Sequence, residues 1–177
     1  RTVAVGTAGA GARSVFAIDI TNPASMSAAN LLFEHWDVGG SDDPNLGYSF
    51  GQPVIGRLGD GNFYAIFGNG RDSIYGCPVL SLVRLSDGFV RRIPTGGRSL
   101  AASCGAAPSG LGRPSLYDVQ VSGESGYRVT DFVYAGDLQG NVWRFDLRSL
   151  NTASDPPSGA TAQLLFSARN DDDGPQP

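Results

Sequence analysis

The sequence predicts an all-β fold: part of a β-propeller, with about three four-stranded antiparallel blades. Three observations carry that reading. A hairpin motif recurs along the chain, a second motif repeats beside it, and the residues that favour helices are largely missing. The hairpin is clearest in Tyr134-Ala-Gly-Asp-Leu-Gln-Gly-Asn-Val-Trp-Arg-Phe-Asp-Leu147, which reads as a strand end from Phe132 to Tyr134, a turn through Gly136 and Gly140, and an outgoing strand to Phe145-Asp146. The turn glycines can take positive φ, and the β-rich run from Asn141 restarts an extended backbone. Weaker copies are Val3-Ala-Val-Gly6 with Val15-Phe-Ala-Ile-Asp19, and Ala65-Ile-Phe-Gly68 with Val79 to Leu85.

The second motif is Gly51-Gln-Pro53-Val-Ile55, matched 61 positions later by Gly112-Arg-Pro114-Ser-Leu116. Gly6, Gly68 and Gly136 are 62 and 68 apart, and Leu31-Leu-Phe33 returns as Leu164-Leu-Phe166. Each unit therefore holds a proline-led strand, a two-strand hairpin and an apolar fourth strand, the pattern of a propeller blade. Propellers close with roughly four to eight blades, so nearly three blades do not close a ring. The chain opens in a strand (Thr2 to Val5) and stops in the turn-rich Asn170-Asp-Asp-Asp-Gly-Pro-Gln-Pro177. Residues 1–177 are thus expected to be part of a single propeller domain, with both ends continuing into a longer protein.

Composition agrees. Lysine is absent, so all 13 basic residues are arginine, and only two of the 17 acidic residues, Glu34 and Glu124, are glutamate. Straight-chain helix formers are scarce, while 25 glycines and 11 prolines supply turns. A net charge of −4 argues against nucleic acid or an anionic membrane as a partner held by overall charge. No apolar run is long enough to span a bilayer.

The same inventory excludes several enzyme classes. Without lysine there is no Schiff base, no Ser-Lys dyad and no GxxxxGK phosphate loop. His35, the one histidine, sits in Leu32-Phe-Glu-His-Trp-Asp37 without a GxSxG elbow, and reads as a solvent-facing or hydrogen-bonded strand residue. One histidine and two cysteines do not make a structural zinc set. The loop from Gly6 to Arg13 looks like a nucleotide cradle, but a strand follows it where a helix is needed, so it reads as a hairpin tip. Trp143 is expected to wedge between blades, with ligand stacking as the alternative. Cys77 and Cys104 flank the hairpin from Val79 to Ile93, so a bridge is expected, the alternative being two unrelated buried thiols. A bridge favours an oxidising, exported compartment. The small-residue loops from Gly68 to Cys77 and from Cys104 to Gly112 are candidate contact surfaces; tolerated loop length explains them equally well.

These motifs resemble the PilC/PilY family of type IV pilus tip-associated proteins. The resemblance rests on the Tyr134 to Leu147 run, on Leu46-Gly-Tyr-Ser-Phe-Gly-Gln-Pro53 followed by Ala65-Ile-Phe-Gly-Asn-Gly70, and on the opening Gly11 to Pro23. Leu165 to Asn170 with Pro175 to Pro177 resembles the family's link into a next blade. The resemblance implies a C-terminal, quinoprotein-like propeller on a larger secreted protein, with Tyr134, Gly136, Asp137, Gly140, Asn141, Trp143, Phe145 and Asp146 as family-motif residues. It implies a non-enzymatic role at the pilus tip, in pilus assembly, twitching motility and attachment. The implied partners are the remaining blades and N-terminal region of the same protein, the minor pilins of the tip and a host surface. The implied location is the cell surface or pilus tip, with an outer-membrane association or periplasmic transit.

Several family members carry a calcium loop before the Tyr-Ala-Gly-Asp motif. In the corresponding stretch Asp118 and Asp131 match in place, but they lie 13 apart against a family spacing of 8, and only Glu124 remains between them as an acid. Calcium usually takes six to eight oxygens, several from carboxylates at fixed offsets. Loss of the site is therefore the favoured reading, with Asp118, Glu124 and Asp131 as the candidate ligands if calcium binds. Asp171 to Asp173 reads as a solvated linker. The runner-up function is a periplasmic quinoprotein dehydrogenase, although no residue grouping suggests its axial calcium ligand, catalytic Asp and basic groups. A blade-built periplasmic scaffold without a pilus is the third.

Overall fold

The computed structural model describes residues 1–37, 42–104, 109–119, 129–150 and 160–169. Within them lie eleven strands in three antiparallel sheets. The first holds β1 (Val3–Thr7), β2 (Ser14–Asp19) and β3 (Leu31–Trp36) in that order. The second holds β4 (Val54–Arg57), β5 (Phe63–Gly68), β6 (Val79–Arg84) and β7 (Val90–Pro94). The third holds β8 (Ser115–Tyr117), β9 (Phe132–Gly136), β10 (Asn141–Asp146) and β11 (Thr161–Ser167). The regular structure outside these strands is two short 3-10 turns, Ala28–Asn30 and Thr95–Gly97.

Each repeat read from the sequence is thus one sheet. Pro53 and Pro114 lead β4 and β8, where a missing N–H is tolerated at a strand's first position. In the first sheet the described strands begin with the hairpin, so β1 occupies the edge that β4 and β8 cover in the other two.

The sheets pack face against face. Leu58, Tyr64, Ile66, Leu80, Leu82 and Ile93 of the second blade meet Leu111, Val133, Ala135, Phe145, Leu147 and Leu150 of the third in one buried cluster. Trp143 packs against that cluster from β10, half-buried between the two blades. A second cluster joins Val15 with Leu46, Phe67 and Val83, flanked by Val5, Phe33 and Val90. Strand alternation puts Phe67 and Val83 on one side of the second blade and Tyr64, Ile66, Leu80 and Leu82 on the other, so its central strands are apolar on both faces.

The glycine register differs from the sequence reading in two ways. Gly136 ends β9 and is not a positive-φ turn residue; Gly140 alone turns the chain, at φ 76°. Gly6 is also out of step by one residue. Gly68 pairs with Leu80 and Gly136 with Val142, on the side facing away from the preceding blade. Gly6 pairs with Phe16, opposite the side on which Val5 and Val15 meet the second blade. A one-residue slip moves a strand residue to the other face. What Gly6 and Gly68 provide is close approach: a Cβ on Gly6 would meet the Phe16 ring at 2.8 Å, and one on Gly68 would overlap the carbonyls of Leu111 and Gly112.

Candidate functional site: the interlocked loop face

Antiparallel strands send alternate connections to opposite ends of the sheets. One end collects the β1–β2, β5–β6 and β9–β10 loops together with the crossings from β3 to β4 and from β7 to β8. Backbone hydrogen bonds join the two crossings to the β5–β6 loop and to the β9–β10 hairpin. Gly47 N donates to Asn69 O at 2.8 Å, Tyr48 N to Arg71 O at 2.8 Å and Gly70 N to Leu111 O at 3.0 Å. Gly112 N donates to Gly136 O at 2.8 Å and Leu138 N to Gly110 O at 3.1 Å. The two loops singled out in the sequence are thus brought together. Cys77 and Cys104 are disulfide-bonded with Cα atoms 5.2 Å apart. Beside the bridge, Cys104 N donates to Tyr75 O and Ser109 N to Gly76 O, both at 2.8 Å.

Two polar residues following the strand-ending glycines organise this face. Asn69 is fully buried. Its amide nitrogen donates to Asn45 O (2.7 Å) and Cys77 O (2.8 Å), and its oxygen accepts from Val79 N and Leu111 N at 3.0 Å each. In the third blade Asp137 takes the equivalent place. Its Oδ1 accepts from the backbone of Gln139 (2.9 Å) and Asn141 (3.0 Å), and its Oδ2 from Asn141 Nδ2 (2.9 Å) and Trp143 Nε1 (2.8 Å). Asp137, Gly140, Asn141 and Trp143 of the motif therefore form one hydrogen-bonded turn. Phe145 is core, Tyr134 stacks edge-on against Tyr117, and Asp146 pairs with Arg148.

Side chains of opposite charge tie the blades together, with His35 in the hydrogen-bonded place its sequence reading allowed. His35 Nε2 lies 2.7 Å from Asp43 Oδ2, and Arg92 Nε from β7 lies 3.1 Å from the same oxygen. Burial pushes the Asp43 carboxyl upward, but the His35 hydrogen bond and the Arg92 charge outweigh it and hold it below its ordinary range. His35 thus hydrogen-bonds into a clasp between the first and second blades, built around the Arg92–Asp43 ion pair. Between the second and third, buried Arg91 donates to Leu150 O at 3.1 Å and lies 3.7 Å from Asp60. Tyr64 donates to Asp60 at 2.6 Å, and burial, then that bond, pushes its hydroxyl up to about 12. Dense Asp and Arg usage was the available signal, but one-dimensional spacing does not reveal pairs such as Asp43–Arg92.

The calcium candidates fall at the opposite end. Glu124 lies outside the described residues, as does the cluster Asp171 to Asp173. Asp131 Oδ2 accepts from Val119 N at 2.8 Å, which closes the base of that connection. Among the described residues no three His, Cys, Asp or Glu side chains gather to hold a metal ion. A groove of about 510 Å³ opens beside β1, lined by Arg1, Val3, Ile55 and Phe63 among others.

The model of the PilY1 beta-propeller domain family matches residues 1–177. This chain belongs to that family. It is 38% identical over 157 residues to the type IV pilus biogenesis factor PilY1 of Pseudomonas aeruginosa strain PAO1, covering 88% of this chain and 12% of that protein. A PilY1 homolog of Xylella fastidiosa strain Temecula1 is 38% identical over 148 residues, 83% of this chain and 10% of the relative. The crystal structure of the P. aeruginosa PilY1 C-terminal domain superposes with a TM-score of 0.76 at 33% identity, covering 98% of this chain and 35% of that one. The chain thus spans about a tenth of the curated relatives' length and about a third of the solved domain. Family and propeller fold are both as the sequence motifs indicate.

Proposed function

We propose that this chain is a non-enzymatic binding and structural sector of an exported type IV pilus biogenesis protein, displayed at the pilus tip or cell surface. Its relatives are named as type IV pilus biogenesis factors. The observation that carries the reading is the loop face, where the crossings between blades are joined to the β5–β6 and β9–β10 loops by backbone hydrogen bonds and a disulfide. Such pinning makes a rigid contact surface, and rigid scaffolds presenting loops are the usual way a fold recognises partners.

In this reading residues 1–177 are part of one propeller whose remaining blades and N-terminal region belong to the same longer protein. The loop face meets minor pilins of the tip or a host surface, supporting assembly, twitching motility and attachment. The absence of lysine leaves this segment no Schiff base and no Ser-Lys dyad. Calcium is not required at the Asp118 to Asp131 connection. Chelation with EGTA is accordingly expected to leave the melting temperature unchanged; a clear drop, restored by calcium, would reverse that point.

The deciding experiment is an immunoblot of the full-length protein in sheared surface fractions, comparing wild type with a pilus-assembly mutant. Signal lost in the mutant supports the pilus reading. Signal confined to the periplasm in both strains sinks it.

A further inference from the structure

We infer that the groove beside β1 seats one extended strand, supplied by the residues directly before Arg1 in the longer protein, with a small residue opposite Val3. The inference deepens the reading of residues 1–177 as part of a larger propeller and rests on it. Among the described residues β1 is an edge strand. Thr2 O accepts from Ile20 N at 2.9 Å and Ala8 N donates to Ser14 O at 3.1 Å, so the even-numbered residues along β1 bond to β2. Antiparallel pairing alternates, which turns the N–H and C=O of Val3, Val5 and Thr7 to the open side. The second sheet shows the same parity. Leu85 N donates to Phe63 O and Asn69 N to Val79 O, so Tyr64 and Ile66 turn to β4, where Gly56 and Val54 pair with them. Val3 and Val5 lie 61 positions before Tyr64 and Ile66, the interval that also separates the motifs leading β4 and β8. The first blade thus offers β1 to an inner strand as the second offers β5 to β4.

The wall facing β1 repeats as well. Val54 packs into the cluster shared with the third blade, and a Cβ on Gly56 would come 2.9 Å from the Leu116 side chain. Strand alternation then sends Ile55 to the opposite face, toward the first blade. There it lines the groove with Val3, Phe63 and Leu85. Ile55 holds the repeat position of Leu116. Leu116 is half-buried against β4, whereas Ile55 is 43% and Phe63 54% exposed. Leu116 reaches β4 because Gly56 has no side chain. The same contact one blade earlier needs a residue without bulk beneath Ile55. The strand position opposite Val3, counterpart of Gly56 opposite Tyr64, is the one that meets it.

Connection selects the strand. β4 passes to β5 through residues 58–62, and Gly61 and Asn62 of that turn line the groove together with Arg1. A strand laid on β1 and joined to it by a turn of this kind ends a few residues before Arg1. The chain spans about a tenth of its curated relatives' length, so the proposed longer protein has such a segment to supply. Backbone groups that face outward at every second residue along an edge fit an extended peptide, not a compact small molecule.

The test replaces Ile55 of the full-length protein with the photo-crosslinker p-benzoylphenylalanine and maps the adducts by mass spectrometry. Beyond the groove's own lining, adducts are expected within about ten residues before Arg1, the span of one strand and a short turn. Cysteines placed one at a time across that span should form disulfides with Ile55→Cys at every second position, as strand alternation requires. Tryptophan at the best-bridging position should lower the melting temperature by overpacking, and Ile55→Ala should restore part of the loss. Adducts to a distant segment of the same chain would overturn the inference in favour of a strand returning from elsewhere. Adducts to a second copy or to another protein would overturn it in favour of a strand supplied in trans. Adducts confined to the lining, or bridges without alternation, would mean that no strand is seated there. Failure on any of these counts leaves the pilus reading standing. A protein that gives the expected adducts but is absent from pili in the surface-fraction immunoblot removes the pilus reading alone.

Discussion

At the residue scale, Asn69 and Asp43 show how single polar side chains hold a propeller sector together. Asn69, fully buried, satisfies two carbonyls and two N–H groups from three separate segments. Buried groups left without partners cost about 1–3 kcal/mol each, so Asn69→Ala should lower stability by about 3 kcal/mol or more, read by chemical denaturation. Asn69→Asp keeps the shape but turns a carboxylate toward two carbonyl oxygens, and should not rescue. Asp43 makes a pH prediction. Its carboxyl is held below its ordinary range, so the unfolded chain binds the proton more readily than the folded one. The stabilisation is therefore fully present above about pH 4, the ordinary carboxylate value, and is lost as pH falls through the lowered folded value. Asp43→Asn should flatten the acid limb of the stability–pH profile; an unchanged limb would mean that Asp43 contributes little there. Asp60 is lowered too, burial notwithstanding, by the Tyr64 hydroxyl and Asn62 backbone, and shares that limb.

At the scale of elements, the disulfide-bound loop and the sheet beneath it should separate energetically. Cys77 and Cys104 are 27 residues apart. Closing a loop of that length stabilises by about 3.5 kcal/mol on the chain-entropy model, so Cys77→Ser/Cys104→Ser should cost about that amount. Hydrogen exchange would show where the loss falls. The amides of Tyr75, Gly76 and Cys104 should speed up first, whereas β5 and β6, buried on both faces, should keep protection until global unfolding. Uniform acceleration across the second sheet would contradict this division. Gly68 lies at the junction: a Cβ there overlaps two carbonyls of the neighbouring crossing, so Gly68→Ala should disrupt the loop face even though Gly68 sits in a strand.

At the scale of the whole molecule, the three blades leave interfaces open at both flanks. Val15 and Phe33 of the first blade are covered by the second, but Val142 and Phe166, cross-strand partners on the third, stay 37% and 61% exposed. Among the described residues β1, β3, β4, β7, β8 and β11 are each the edge strand of their sheet. Unpaired edges recruit other strands. The 177-residue segment alone is therefore expected to self-associate with concentration in analytical ultracentrifugation, and Phe166→Glu should weaken that association. A monodisperse monomer with sharp cooperative melting would refute the expectation.

The amino-acid sequence by itself determined the repeat, the strand types and the family, because alternation, proline-led strands and Gly-Asp turns are local and recur at a readable period. It also brought out Cys77, Cys104 and the two loops around them as a group. The tertiary structure alone decided which residues face which blade. Gly6 looks like Gly68 in sequence, yet one position of register puts it on the opposite face, and register is set by packing against the neighbouring sheet. It alone decided the pairings of Asp43 with His35 and Arg92, and of Arg91 with Leu150, which join residues 8, 49 and 59 positions apart. Such contacts depend on how two sheets stack, and stacking joins residues that no spacing along the chain relates.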